Sequence, residues 1–137
     1  MKKFLLGSLI LLFACNSAKK TQQSSNIKSL QGQWELQLED ATALKAPKKP
    51  MLNFNTDSTS FSGNTGCNLI NGRFQSAQPG AISFNNNMAT TRMACMEYND
   101  NAFTDKLLQA NKYVVKENLL QLLHDGTVLF TFTKVPG

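Results

Sequence analysis

Short runs of alternating apolar and polar residues constrain the fold of this chain most strongly. The clearest runs cover residues 34–38, 52–55 and 128–133, and each has a period of two. This pattern is typical of strands that bury one face and expose the other. Because the runs are short and separated by turn-forming residues, we expect antiparallel neighbours. The sequence therefore predicts a mostly β (α+β) domain, built as a small antiparallel meander or partly open barrel.

Residues that favour reverse turns separate these runs. Asn71-Gly72 and Asp125-Gly126 are typical of tight hairpin turns, because their residues tolerate positive φ angles. Gln78-Pro79-Gly80 predicts a further turn. Four leucines within residues 119–123 are compatible with either face of their strand, so the sequence leaves that orientation open.

One helix is predicted over Asp100–Asn111 and is expected to pack on the sheet. Phe103 and Leu107 are four residues apart and share one face of this helix. Asn99 or Asp100 is positioned to cap its N-terminus.

The N-terminal residues predict export and lipid attachment. The uncharged apolar run Phe4–Phe13 follows two lysines and is about half as long as a helix that spans a bilayer. Ala14-Cys15 then resembles a bacterial lipoprotein cleavage site. Residues 1–14 are therefore predicted to be a signal peptide and Cys15 the acylated residue. The alternative is an ordinary secretory signal with an incidental cysteine.

Residues 15–29 are predicted to be a flexible tether, and the folded domain is expected over residues 30–137. The tether is rich in Ser, Gln, Asn and Lys and contains almost no large apolar residue. The chain has a net charge of +5, but the basic residues before position 30 account for all of this surplus. The domain itself is formally neutral, so a nucleic-acid partner is not expected.

The predicted location is a bacterial cell envelope, with the protein anchored to a membrane by lipid. Asn16 after the acylated cysteine favours the outer membrane by the sorting rule of enteric bacteria. The lack of acidic residues at this position favours the periplasmic side. A monomer is expected.

Cys67 and Cys95 remain once Cys15 is assigned to lipid. An even pair of cysteines in an exported chain favours a structural disulfide. The chain-entropy model assigns a loop of this length about 3.5 kcal/mol of stabilisation. Two free thiols or a redox-active pair are the alternatives, and the second lacks both a CxxC motif and an evident base.

The residues around these two cysteines form two motifs. The first is Ser62–Asn68 (SGNTGCN), followed by Asn71-Gly72, and the second is Ala89–Cys95 (ATTRMAC). Together they resemble the META domain family, which includes bacterial heat-shock lipoproteins of the HslJ type. The resemblance covers roughly residues 30–132. It implies a small β-rich, barrel-like domain with one helix and a role in the envelope, in stress or in antibiotic tolerance. It implies no catalytic residue.

The motif residues have a structural and a binding interpretation. They are Gly63, Gly66, Asn68, Gly72, Thr91, Arg92 and Met93. Gly63 and Gly66 favour a bulged or sharply turning strand, and Asn68 favours a local backbone hydrogen bond. Arg92 lies among small and apolar residues, so its guanidinium is expected to have a partner. That partner is Glu97 or backbone carbonyls, or else an anion bound beside Arg92 and Asn68.

Met88, Met93 and Met96 are expected to pack in the core. A soft-metal site is the alternative, but the methionines are widely spaced and the chain has a single histidine, His124. No metal and no cofactor are predicted.

No catalytic residues are predicted. His124 has only Asp125 beside it as a potential partner, and the sequence lacks a phosphate loop, a dinucleotide fingerprint and zinc-ligand spacing. The expected function is therefore non-enzymatic: an envelope lipoprotein that binds an envelope protein or a small ligand. The alternative is an inhibitor of a cell-wall-degrading enzyme such as lysozyme.

Overall fold

Strands make up much of the chain described by the computed structural model, which covers residues 23–37 and 45–137. The strands are β1 (Gln23–Ser24), β2 (Gly32–Leu36), β3 (Met51–Asn55), β4 (Ser60–Asn64), β5 (Leu69–Gln75), β6 (Ser83–Phe84), β7 (Ala89–Thr90), β8 (Lys112–Lys116), β9 (Leu119–His124) and β10 (Thr127–Lys134). Among these residues there is a single α-helix, α1 (Asn101–Gln109), and a short 3-10 helix at Ile27–Leu30.

The strands form one antiparallel sheet in the order β1-β8-β9-β10-β2-β3-β4-β5-β6, and β7 pairs with β5 beside this path. The sheet is not closed, although an isolated bridge joins Ala81 to Lys112 of β8. The predicted fold class, a mostly β open meander with one helix, is confirmed.

The inward residues of the strands form one apolar core. Trp34 and Leu36 of β2 are fully buried, as the alternation predicts. The Trp34 indole N–H donates a hydrogen bond of 2.7 Å to the Leu30 carbonyl, so its polar atom is satisfied inside the core. The Phe54 ring meets the Phe74 ring edge-on, with centroids 5.3 Å apart. Side chains from both halves of the sheet thus share the same interior.

Helix α1 packs on this core through the predicted apolar face. Phe103 and Leu107 are fully buried, and the Phe103 ring lies 4.9 Å from the Phe130 ring of β10. The observed helix, Asn101–Gln109, is shorter than the predicted span of 100–111.

The predicted hairpin turn at Asn71-Gly72 is wrong. Both residues lie inside β5, where Asn71 is opposite Ser62 and Gly72 is opposite Phe61 of β4. A Cβ atom at position 72 would lie 3.0 to 3.1 Å from the Phe61 ring. The glycine therefore makes room for an aromatic side chain, and the chain turns instead at residues 65–68.

The second half of the sheet follows the predicted turns more closely. Asp125 and Gly126 have φ angles of 47° and 84° and form the expected turn between β9 and β10. Leu120 and Leu122 are the inward residues of β9, which settles the orientation that the sequence left open. A register shift between Val128 and Phe130 leaves Val128 exposed at the start of β10.

The folded part begins before the predicted boundary at residue 30. Strand β1 pairs with β8, and the Tyr113 hydroxyl of β8 donates a hydrogen bond of 2.6 Å to the Ser25 carbonyl. Burial raises the pKa of Tyr113 above its ordinary value. Ile27 packs against the core. These contacts order residues that composition alone assigned to the tether.

The predicted signal peptide and the predicted acylation site, Cys15, lie outside the described residues. Within the described part of the chain, none of the helices has the length and apolar character needed to cross a membrane.

We expect Phe103→Ala to lower the free energy of unfolding by about 3–5 kcal/mol, because it deletes a buried ring at the contact between helix and sheet. Leu108→Ala on the same helix is the matched control. Leu108 is 38% exposed, and its loss should cost less than about 1 kcal/mol. Urea unfolding followed by circular dichroism measures both, and equal losses would contradict the packing described above.

Candidate functional site

The carboxamide of Asn68 is the centre of a buried polar cluster. Asn68 lies in the turn between β4 and β5 and is only 4% exposed. Its Oδ1 accepts hydrogen bonds from the Thr91 hydroxyl (2.9 Å) and the Met93 amide (2.7 Å). Its Nδ2 donates to Asp100 Oδ2 (2.7 Å) and to the Met93 carbonyl (3.2 Å). These bonds use both donors and both acceptor positions of the carboxamide.

Thr65 and Asp100 complete what we call the Asn68 cluster: Thr65, Asn68, Thr91, the Met93 backbone and Asp100. Thr65 is fully buried, and its hydroxyl donates a hydrogen bond to Asp100 Oδ2 (2.9 Å). The same hydroxyl accepts a hydrogen bond from the backbone N–H of Asn68 (2.9 Å). One carboxylate oxygen of the half-buried Asp100 thus accepts two hydrogen bonds from the β4-β5 turn.

This arrangement determines how helix α1 is capped. Asp100 is the N-cap residue, but its side chain makes no capping hydrogen bond, because its carboxylate is directed to the β4-β5 turn. The side chain of Asn99 instead accepts a hydrogen bond of 3.1 Å from the Asn101 amide. Of the two predicted capping residues, Asn99 bonds the first turn of the helix.

The predicted disulfide joins the same two segments as the Asn68 cluster. Cys67 is bonded to Cys95, with 6.1 Å between their Cα atoms. The β4-β5 turn is therefore linked covalently to the segment that follows β7. Gly66 in this turn has a φ angle of +98°, and a Cβ atom there would lie 2.6 Å from the Ala46 Cβ. The turn requires glycine at this position.

Gly63 and Gly72 also have structural roles. A Cβ atom at position 63 would lie 2.1 Å from the Met51 carbonyl oxygen, so glycine permits the close approach of β3 and β4. Gly72 accommodates the Phe61 ring, as described above. Packing within the sheet explains both glycines, so neither of them indicates a ligand-binding site.

The predicted partners of Arg92 are not observed. Its side chain is exposed, and it makes no ion pair or hydrogen bond with any residue that the structure describes. Glu97 is exposed as well. Because the Thr91 hydroxyl and the Met93 amide both face Asn68, the Arg92 side chain between them is left in solvent. The predicted anion site needs Asn68 beside Arg92. The carboxamide of Asn68 is not available to an anion, because all of its hydrogen bonds are made within the fold.

Two of the three predicted core methionines are exposed. Met88 packs against the core, but Met93 and Met96 are 54% and 91% exposed, so their predicted burial is wrong. Leu69, beside this segment at the start of β5, is 61% exposed. We call Leu69, Arg92, Met93 and Met96 the Met93 patch.

His124 has a local structural role. Its Nδ1 lies 2.7 Å from the Gln109 carbonyl at the end of α1, and its Nε2 lies 3.3 Å from Asp125 Oδ2. In the parts of the chain that the structure describes, no three side chains of His, Cys, Asp or Glu are grouped so that they could hold a metal ion.

The comparisons with known proteins identify the family. The family model of the META domain matches residues 25–136. This chain belongs to the META domain family. The resemblance predicted from the two motifs is thereby confirmed, and the META domain includes the Asn68 cluster and the Met93 patch.

Solved structures share the fold of this META domain. An NMR structure of a protein from Burkholderia xenovorans is 20% identical with a TM-score of 0.63, covering 82% of this chain and 90% of that one. The crystal structure of a duf4847 family protein from Bacteroides vulgatus is 16% identical with a TM-score of 0.56. The match covers 79% of this chain and 95% of that chain. These identities show similarity of fold alone. No curated protein sequence matches the chain significantly.

The sequence motifs include Asn68, Thr91 and Met93 of the Asn68 cluster, but they predict no role in it for Thr65 or Asp100. Thr65 lies inside the first motif, and Asp100 is predicted from the sequence only as a helix cap. Tyr98, outside the cluster, supports it by donating a hydrogen bond from its hydroxyl to the Thr65 carbonyl. The sequence feature that points to these partners is the asparagine directly after Cys67. Once the disulfide buries the turn, the carboxamide of this asparagine needs hydrogen-bond partners from elsewhere in the chain.

We expect Asn68→Asp to destabilise the domain at pH 7 and to recover part of the loss in acid. The new carboxylate would face Asp100 Oδ2, where two charged carboxylates repel and neither can donate. A carboxyl that has to hold a proton in the folded state adds stability in acid and loses it as the pH rises. Between pH 7 and about pH 4, the difference in free energy of unfolding between the wild type and the variant should shrink by about 1–3 kcal/mol.

Asn68→Ala is the control, because it removes the same hydrogen bonds without adding a titrating group. Its loss should be about 2–4 kcal/mol, and this loss should change less between pH 4 and pH 7 than the loss in the aspartate variant. Urea unfolding at pH 4 and pH 7 measures all three proteins. If the loss of unfolding free energy in the aspartate variant does not change with pH, Asp100 is not the neighbour of residue 68.

Proposed function

We propose that this protein is a non-enzymatic envelope lipoprotein whose META domain binds a partner protein through the Met93 patch. The apolar N-terminal run and Cys15 support the lipid anchor. The observation that carries the proposal is the exposure of Leu69, Met93 and Met96 beside a disulfide and a buried polar cluster. The role that this binding serves is envelope maintenance or tolerance of stress and antibiotics.

The composition of the Met93 patch is that of an interaction surface. Methionine and arginine are enriched where proteins meet, and methionine adapts its shape to irregular apolar partners. A single exposed apolar side chain is common on any protein. Three of them, carried with an exposed arginine by two segments that the disulfide and Asn68 link, favour a binding surface.

The segment that carries the patch is ordered before any partner binds. The Met93 amide and carbonyl are both hydrogen-bonded to Asn68, and Cys95 is disulfide-bonded to Cys67. An ordered segment loses little conformational entropy on association. Contacts made by Met93 and Met96 therefore contribute to affinity without a large ordering cost.

Inhibition of a cell-wall-degrading enzyme, the alternative predicted from the sequence, is a special case of such protein binding. It stays a prediction, and a muramidase assay with the purified full-length protein is its direct test.

Site-specific photocrosslinking in intact cells tests the proposed binding surface. A photoreactive residue replaces Met93 or Met96 in the test variants and Leu108 or Val128 in the controls, which are 38% and 45% exposed outside the patch. We expect positions 93 and 96 to capture the same protein and the control positions not to capture it. No adduct from the patch, or one adduct from all four positions, would contradict the proposal.

The double variant Met93→Ser with Met96→Ser tests the contribution of the two side chains. With the photoreactive residue at position 92, its crosslinking yield should fall at least about tenfold, since truncation of interface anchors commonly costs more than 1 kcal/mol. Val128→Ser is the control and should leave the yield unchanged.

A further inference from the structure

A row of four polar side chains crosses the outer face of the sheet. Gln33 of β2 is opposite Asn53 of β3, Asn53 is opposite Ser62 of β4, and Ser62 is opposite Asn71 of β5. All four residues are exposed. Since neighbouring strands lie about 4.8 Å apart, the row extends for about 14 Å. We call these four residues the polar row.

The hydrogen-bonding groups of the polar row are not used by the fold. Within residues 23–37 and 45–137, none of the four side chains makes a hydrogen bond to another protein group. Some other exposed asparagines differ in this respect. Asn55 accepts hydrogen bonds from the Asp57 and Ser58 amides, and Asn85 accepts one from the Asn87 amide. Turn formation explains those asparagines but not the polar row.

The polar row lies in a groove that has apolar side chains along one edge. In the adjacent row of the sheet, Met51 and Leu69 lie on either side of Asn64. The groove has a volume of about 360 Å³, and none of the residues that line it carries a charge. Glu35, which is opposite Met51, forms an ion pair with Lys49.

This lining restricts the chemistry of a ligand. A charged ligand would find no opposite charge in the groove, and an apolar ligand would remove the carboxamides from water without replacing their hydrogen bonds. Carboxamide and hydroxyl groups can both donate and accept, which matches a ligand that carries many hydroxyl or acetamido groups. The apolar edge matches the carbon–hydrogen face of a sugar ring.

We propose that this groove binds a neutral glycan chain. Its hydroxyl or acetamido groups pair with Gln33, Asn53, Ser62 and Asn71, and its apolar ring faces pack against Met51 and Leu69. The length of the row exceeds one sugar ring, so the ligand is an oligosaccharide or a segment of a polysaccharide. The two proposed sites meet at Leu69, which contributes to both, but none of the four residues of the polar row belongs to the Met93 patch.

Methyl NMR on the full-length protein in detergent micelles tests the proposal. The methionines carry labelled methyl groups, and Met51 reports on the groove while Met96 reports on a position outside it. The probes are a chitin tetrasaccharide, maltotetraose and a galacturonic acid tetramer. We expect saturable shifts of the Met51 methyl with a neutral probe and none with the anionic one. A preference between the two neutral probes distinguishes acetamido from hydroxyl recognition.

Paired variants show whether the polar row makes the contact. Asn53→Ala with Asn71→Ala should weaken the neutral ligand at least about tenfold, because two hydrogen-bonding side chains are lost. Asn87→Ala with Gln109→Ala is the control, with two exposed amides removed outside the groove, and should bind like the wild type. An unchanged Met88 methyl signal verifies that each variant is folded.

Three results would overturn the glycan proposal: no Met51 shift with either neutral probe, an equal shift with the anionic probe, or unchanged binding by the Asn53 and Asn71 variant. None of these results would alter photocrosslinking from positions 93 and 96, so the proposed protein partner is tested separately.

Discussion

The hydrogen bonds of the buried Asn68 carboxamide join three segments that lie outside the strands. These are the β4-β5 turn, the segment from Thr91 to Met93, and the start of α1 at Asp100. Each buried polar group left without its partner would cost about 1–3 kcal/mol. A leucine at position 68 would leave the Met93 amide unpaired, and an aspartate would lose the donor that meets Asp100. The cluster therefore requires a side chain that both donates and accepts.

The disulfide and the Asn68 cluster stabilise the same region in different ways. The bond between Cys67 and Cys95 acts chiefly on the unfolded chain, by about 3.5 kcal/mol in the chain-entropy model. The cluster orients the linked segments within the folded state. Strand β5 begins at Leu69, in the Met93 patch, and continues to Asn71, in the polar row. The orientation of both proposed binding surfaces thus depends on the turn that Asn68 fixes.

The sequence predicted the fold better than the site, for physical reasons. Alternation identified the strands because burial of one face acts on every second residue. The Asn71-Gly72 signal failed because packing of Phe61 against Gly72 outweighs a local turn preference. Arg92 was expected to find a partner because its neighbours are small and apolar, yet the segment lies at the surface. The link between Asn68 and Asp100 spans 32 positions, and no local pattern reports such a contact.

Hydrogen exchange at the Met93 amide is the most direct test of this account. Met93 is 54% exposed and lies outside any strand or helix. The hydrogen bond from its amide to Asn68 Oδ1 is therefore what protects this amide from exchange. We predict exchange as slow as that of amides paired within β4 and β5, and loss of this protection in Asn68→Ala while the core strands stay protected. A Met93 amide that exchanges in the wild type at the rate of an unprotected amide would contradict the central role of Asn68.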